Sequence, residues 1–456
     1  MTTIIEESLI SFPPDSPCIT PTTSSLTFFD YPWLLFPPLQ PLFFFQLPLH
    51  IHFSDFRSDI LPPLKRSLSC ALHYYFPLAA KLAASLDDPK RLTFFTDRDC
   101  SVSFTFAHSD ANFDLLSSNL PRDAAQFRHL VPTLPSISYP INSPASLLAI
   151  QITYFSSSPG FSIGFAYHPV LCDQRCFSRF LYSWASLCKF SHLHNGLPSP
   201  TFERSVIQDT NSLCPILLQQ LSNPRSKSVV FPPDDGLLRA TFLMRPADIQ
   251  NAKKWIMGRC DERNRPYPVL LSPYIVTCAF VWPALFHTSV NKAKGPKYFG
   301  FIAGGITRLK YQVPVNYFGN CVGFGRAVAQ TEELVGEDGI LAAADALALA
   351  IKTLDDDILG KAEKWISEWE VIRGAEEHMN VVGSPKVGLY ETDFGWGRPK
   401  KVEEISIDVI RGISLTQSSD RNGGIEIGLA LTKSHMEAFS TLFRQGLHCF
   451  SSGGAF

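Results

Sequence analysis

The stretch His168-Pro169-Val170-Leu171-Cys172-Asp173-Gln174-Arg175-Cys176 places an imidazole, two thiols, a carboxylate and a guanidinium in one short segment. An imidazole that titrates near neutrality is suited to take a proton from a hydroxyl. Pro169 is not: its nitrogen is a tertiary amide, and its ring fixes φ and biases His168 toward extended backbone. Neighbouring side chains on extended backbone point to opposite faces. His168 therefore serves as a base only if the turn rearranges, and is otherwise a packed or hydrogen-bonded histidine on the far side. His168, Cys172 and Cys176 also form an H-x₃-C-x₃-C spacing, but the proline and the lack of a clear fourth ligand weigh against a metal. Buried free cysteines are the simpler expectation. Arg175 has the planar fork that suits a carboxylate, or it is an exposed arginine on a helix face.

The flanks predict what positions this segment. LLAIQITYF (147–155) and FSIGFAY (161–167) are rich in β-branched and aromatic residues and are separated by Ser-Ser-Ser-Pro-Gly, which reads as a hairpin. After Asp173 the apolar residues Phe177, Phe180, Leu181, Trp184, Leu187 and Cys188 recur at helical spacing. The segment is thus expected to be a turn joining a strand to an amphipathic helix. From Lys189 to Pro233 the composition shifts to Ser, Pro, Asn and Asp, as in a crossover between two halves. The second half resumes with ATFLMRPADIQNAKKWI, a strand then a helix, and LLSPYIVTCAFVWPALF, an apolar helix with an internal proline. A helix over Gly339 to Leu359 and a final strand and helix in EIGLALTKSHMEAFSTLF follow. Interspersed strands and helices predict an α/β or α+β fold.

With 456 residues, 45% hydrophobic and 18% charged, the chain has the balance of a compact enzyme with substantial cores. A net charge of −2 offers no surface for nucleic acid. MTTIIEESLI lacks a basic stretch, and Pro37, Pro38, Pro41 and Pro48 interrupt the apolar run Leu34 to Leu49, so neither a secretory signal nor a membrane anchor is expected. Eleven cysteines without a repeated Cys-x-x-Cys spacing argue against a disulfide framework and a structural zinc module. A cytoplasmic location and a monomer are the expectation.

The sequence GFSIGFAYHPVLCDQRCFSRFLYSWA resembles the HxxxD region of the plant BAHD acyl-CoA-dependent acyltransferases, which in many members reads His-His-x-x-x-Asp with the second histidine as general base. Counting back four from Asp173 lands on Pro169, so His168 matches the preceding, non-catalytic histidine. LTFFDYPWLLFPPLQPLFFF, YFGNC (317–321) preceded by Arg308, the DFGWG box at Asp393, Phe394, Gly395, Trp396 and Gly397, and NGGIEIGL (422–429) are similar to further motifs of the malonyltransferase-like clade. Four ordered motifs span nearly the whole chain.

The resemblance implies two domains like those of chloramphenicol acetyltransferase, with mixed β-sheets flanked by helices and a channel between them. Their expected bounds are 1–190 and 234–456, joined by a linker over 191–233. It implies acyl-CoA, and in this clade malonyl-CoA, as co-substrate, a small-molecule acceptor, and neither a bound cofactor nor a metal. Asp173 is implied as a structural organiser, with Arg308 as its expected partner. Asn320 and the DFGWG residues are implied to be structural, with Trp396 near the channel. Arg175 is the expected contact for a malonyl carboxylate, and Lys253, Lys254 and Ser272 for CoA. Two departures stand out: Gly304-Gly305-Ile306 where the clade often has Asp-Cys-Arg, and Ala80 in place of a glycine.

The expected function is O-acyl transfer to a plant phenolic or glycosylated metabolite, with general-base catalysis impaired or modified by Pro169. A positioned acid–base group contributes about 10²–10⁴-fold, so some transfer can survive its loss. The alternatives are a non-catalytic binder of CoA esters or metabolites, and a repurposed channel for a rearrangement, cyclisation or elimination.

Overall fold

The computed structural model describes residues 2–14, 21–85, 87–88, 91–135, 137, 139–192, 198–223, 236–288, 294–374, 378–410 and 412–452. The predicted hairpin forms: strands Leu148–Phe155 and Gly160–Tyr167 pair antiparallel, with Ile152 opposite Ile163. Every residue of both strands is buried, because the sheet is covered on both faces, and this is why the runs are apolar without alternation. Helix Gln174–Phe190 covers one face. Phe165 meets the rings of Phe177 and Trp184 edge-on at 5.3 and 6.1 Å. On the opposite face the backbone near Leu130 crosses Gly164 so closely that a β-carbon there would lie 2.2 Å from the Leu130 carbonyl oxygen.

The first sheet runs, edge to edge, through Thr2–Ser11, Ser101–Ser109, Leu148–Phe155, Gly160–Tyr167, Pro41–Gln46 and Lys401–Glu404. The second runs through Val322–Gln330, Pro296–Gly304, His378–Val382, Gly412–Gln417, Ile425–Thr432, Leu237–Met244 and Arg122–Asp123. A smaller sheet holds Thr22–Ser25, Leu92–Thr96, Lys81–Ala84 and Ala145–Ser146. Parallel and antiparallel pairs occur in both large sheets, giving a mixed α/β architecture. The expected helices of the second half are present as Pro246–Glu262, Pro273–Thr288, Gly339–Asp356 and Lys433–Ser452. In Pro273–Thr288 every residue from Ile275 to Ala284 is buried, Pro283 included, as expected of a helix that is apolar all round.

The halves exchange strands across the expected linker. Lys401–Glu404 closes the first sheet against Pro41–Gln46, while Arg122–Asp123 pairs with Leu237–Met244 in the second. Arg122 and Arg239 are register partners, and buried Glu403 lies 2.9 Å from the first and 3.3 Å from the second. Burial raises the Glu403 carboxyl, but Arg122, Lys401 and Arg239 outweigh it and pull its pKa down to about 2. The linker itself contains helices Arg204–Val206 and Leu213–Leu221, and Thr201 bridges to Tyr317; its residues 193–197 and 224–233 lie outside the described residues. No helix among the described residues is long and apolar enough to cross a membrane.

Candidate active site

Pro169 ends the strand because it cannot extend the ladder. The last strand residue, Tyr167, exchanges two backbone hydrogen bonds with Leu39, at 2.8 and 3.0 Å. The Leu171 N–H then closes a turn onto the His168 carbonyl at 3.0 Å, with Pro169 at its second position. Asp173 caps the helix that follows: its Oδ1 accepts from the Cys176 N–H at 2.9 Å and its Oδ2 from the Cys321 N–H at 3.4 Å. Burial raises the Asp173 carboxyl above the usual range, opposed by Arg175 and by the Cys176 N–H.

Asn320 holds the turn from far along the chain. Its Nδ2 lies 2.9 Å from the Pro169 carbonyl, 3.0 Å from that of Val170 and 3.0 Å from Asp30 Oδ1. Asp30 is fully buried. It accepts from the Thr27 backbone and hydroxyl and is paired with Arg204 at 3.1 Å. Burial works against the Arg204 charge, yet Asp30 and Tyr317 raise its pKa above the ordinary value. Arg204 thus supports this turn through Asp30, a role not legible from spacing, while the arginine nearest Asp173 is Arg175, at 4.0 Å. Arg308, expected opposite Asp173, instead bonds Asp355 at 2.6 Å and the Gly304 carbonyl at 2.8 Å. Gly305 packs on Cys321 so tightly that a β-carbon would meet its Sγ at 2.9 Å. Ala80 is buried with φ −61°, an extended geometry that needs no glycine.

Pro169, Cys172 and Asp173 line an open cleft of about 990 Å³, mouth included, whose walls come from both halves. Trp33 and Phe36 face it from the first half; Phe301, Phe324, Trp365 and Trp369 from the second. Its charged groups include Arg326 and Glu368, paired at 3.3 Å, and its polar groups include Asn380.

His168 is not part of the wall. Its Nδ1 accepts from the Val170 N–H at 3.2 Å, and burial alone pushes the imidazole pKa down to about 3. In this arrangement His168 lies outside the cleft wall, its Nε2 buried without a hydrogen-bond partner among the described residues. Cys176 Sγ lies 3.2 Å from the Tyr317 carbonyl and burial raises its thiol, so it is a packed cysteine. Among the described residues no group of three or more His, Cys, Asp or Glu side chains is arranged to hold a metal.

Arg175 lies on the helix that follows the turn, 4.0 Å from Asp173. Its guanidinium donates to the carbonyls of Val315 at 2.7 Å and Tyr317 at 3.1 Å, tying the helix to the YFGNC loop, and it does not line the cleft. Trp396, expected near the channel, lies instead against the edge of Phe161 at 6.2 Å. The DFGWG box is a structural knot. Asp393 Oδ1 accepts from the Gly395 and Gly397 N–H groups, both glycines having positive φ, and Oδ2 bonds Lys189 at 2.6 Å. Phe394 then packs on Trp184 at 4.8 Å. Ser272 caps helix Pro273–Thr288 by accepting from the Ile275 N–H; Lys253 and Lys254 sit on helix Pro246–Glu262, and none of the three lines the cleft.

The sequence profile of the Transferase family matches residues 1–445. Phenolic glucoside malonyltransferase 1 of Nicotiana tabacum is 35% identical over 469 residues, covering 98% of this chain and 99% of that protein. A coumaroyl-CoA:anthocyanidin 3-O-glucoside-6''-O-coumaroyltransferase of Arabidopsis thaliana is 34% identical over 475 residues, covering 98% of each. The chain is a member of this family, the BAHD acyltransferases. The crystal structure of vinorine synthase shares the fold with a TM-score of 0.69, 16% identity and 96% coverage of both chains.

Proposed function

We propose that this protein is an acyl-CoA-dependent O-acyltransferase, malonyltransferase-like, that takes a plant phenolic or glycosylated metabolite and works without the usual imidazole base. The observation that carries the reading is Pro169 in the cleft wall with His168 folded out of it. In the transfer, the acceptor oxygen attacks the thioester carbonyl carbon, the carbon–sulfur bond breaks, and the hydroxyl proton passes to the CoA sulfur or to water. Holding both partners in one cleft still accelerates the reaction. A missing base slows the proton step, so a phenol with pKa of ~10 is a better acceptor than a sugar hydroxyl. Kinship to proteins named for malonyl and for coumaroyl transfer supports an acyl-CoA donor and leaves its acyl group open.

The test is free-thiol release from malonyl-CoA and coumaroyl-CoA with phenolic glucosides, for wild type beside Pro169→His, with products followed by mass spectrometry. The variant is expected to gain roughly 10²–10⁴-fold on a sugar hydroxyl. Equal rates on a sugar hydroxyl would sink the reading. A second reading, a non-catalytic binder of CoA esters or metabolites, is favoured by the pairing of Glu368 with Arg326, which leaves that carboxylate poorly placed to act as a base. Silence from wild type with turnover in the variant selects it.

A further inference from the structure

We propose that Asn380 reads the acceptor: its side-chain amide binds an oxygen function of an uncharged aromatic molecule held between the indole and phenyl walls of the cleft. This deepens the acyl-transfer reading and rests on it for the ligand class.

Asn380 sits on strand His378–Val382, inside the second sheet, and is only 7% exposed, yet it lines the cleft. Both its Nδ2 and its Oδ1 are buried without a hydrogen-bond partner among the described residues. Buried amides are nearly always paired, and an unpaired donor and acceptor on one side chain is unfavourable in the absence of a ligand. The site is also built to hold the amide. Gly300 is its register partner on the neighbouring strand, and a β-carbon on Gly300 would come within 2.6 Å of Asn380 Oδ1. The missing side chain supplies the amide's space.

The surroundings define the ligand. Phe36 stacks on Trp369 with centroids 4.5 Å apart, and Trp33 meets Phe324 at 5.0 Å, giving flat walls suited to an aromatic ring. Trp33 Nε1 and Trp369 Nε1 are likewise buried without partners, and an indole N–H can only donate. The unpaired set is thus rich in donors, which favours an oxygen-bearing molecule. Arg326 and Glu368 neutralise each other, and both Asp173 oxygens accept backbone N–H groups, so the wall favours a neutral acceptor over an ion. An amide orients a hydroxyl but does not deprotonate it, so Asn380 is a specificity-determining residue and no replacement for the absent base.

The test is calorimetric binding of quercetin 3-glucoside and, separately, of malonyl-CoA to the full chain, for wild type, Asn380→Val and Asn380→Ser, together with thermal melting. Asn380→Val is expected to bind the glucoside about ten-fold or more weakly while keeping malonyl-CoA affinity. It should also melt no lower than wild type, because an unpaired buried amide has been removed. Asn380→Ser should recover part of the glucoside affinity. Equal glucoside binding by Asn380→Val, no glucoside binding by wild type, or a lower melting temperature with parallel loss of both ligands would overturn the assignment. Asn380-dependent glucoside binding without thiol release by wild type or Pro169→His would instead count against acyl transfer alone.

Discussion

His168 and Pro169 divide the work of one turn: the residue able to titrate is outside the cleft, and the residue inside cannot titrate. The burial of His168 has a consequence for stability. Its folded pKa of about 3 lies below the ordinary value of 6.5, so on acidification the unfolded chain takes up the proton first. The native state is therefore fully supported above about pH 6.5 and loses stability as pH falls toward 3. His168→Asn keeps an acceptor for the Val170 N–H and removes the titration. Urea unfolding midpoints at pH 7 and pH 5 should differ less in this variant than in wild type, while thiol release at pH 7 stays unchanged. A large loss of thiol release in His168→Asn would show that the imidazole does reach the substrate.

At the scale of elements, a strand, a turn and a helix are held together by groups distant in sequence. Asn320 reaches the turn carbonyls, and Asp30 with Arg204 anchors Asn320. Arg204 and Arg308 therefore make a contrasting pair. Arg204→Ala leaves Asp30 buried opposite no charge and should destabilise the protein by about 3–5 kcal/mol. Arg308→Ala removes a part-exposed pair with Asp355 and should cost about 1 kcal/mol or less. Denaturant unfolding of the two variants decides this; equal losses would mean that Arg308 supports the turn after all. The hairpin, the turn and the helix were all legible in the sequence, because apolar periodicity and a Ser-Pro-Gly turn are local signals. Arg204 was not, since it lies in a Ser- and Pro-rich stretch that reads as connector and acquires its role only through contacts with Asp30 and Tyr317.

Over the whole molecule, the two exchanged strands make the halves interdependent. Glu403 rides on the strand that the second half contributes to the first sheet, and it grips Arg122 on the strand sent the other way. Replacing it leaves Arg122 facing a neutral amide while Arg239 keeps Asp408, so Glu403→Gln should destabilise the protein by about 3 kcal/mol at neutral pH. The sign with pH follows from a folded pKa of about 2 against 4.5: this support is present above about pH 4.5 and is lost as pH falls through 2. The difference between wild type and Glu403→Gln in urea midpoint should accordingly shrink between pH 5 and pH 3. A constant difference would assign the loss to packing rather than charge.

The sequence by itself determined the alternation of elements and the family, because motif order and periodicity are written along the chain. Tertiary structure alone decided which way His168 and Arg175 face, that Trp396 lies off the cleft, and that Asn380 stands unpaired across from Gly300. Facing and pairing depend on what other segments bring to the same place. An arginine reads alike whether its fork meets a substrate carboxylate or, as with Arg175, the backbone carbonyls of Val315 and Tyr317. An asparagine in a strand gives no local sign that its partner strand carries a glycine. Those distinctions arise only when residues far apart in sequence compete for the same few ångströms.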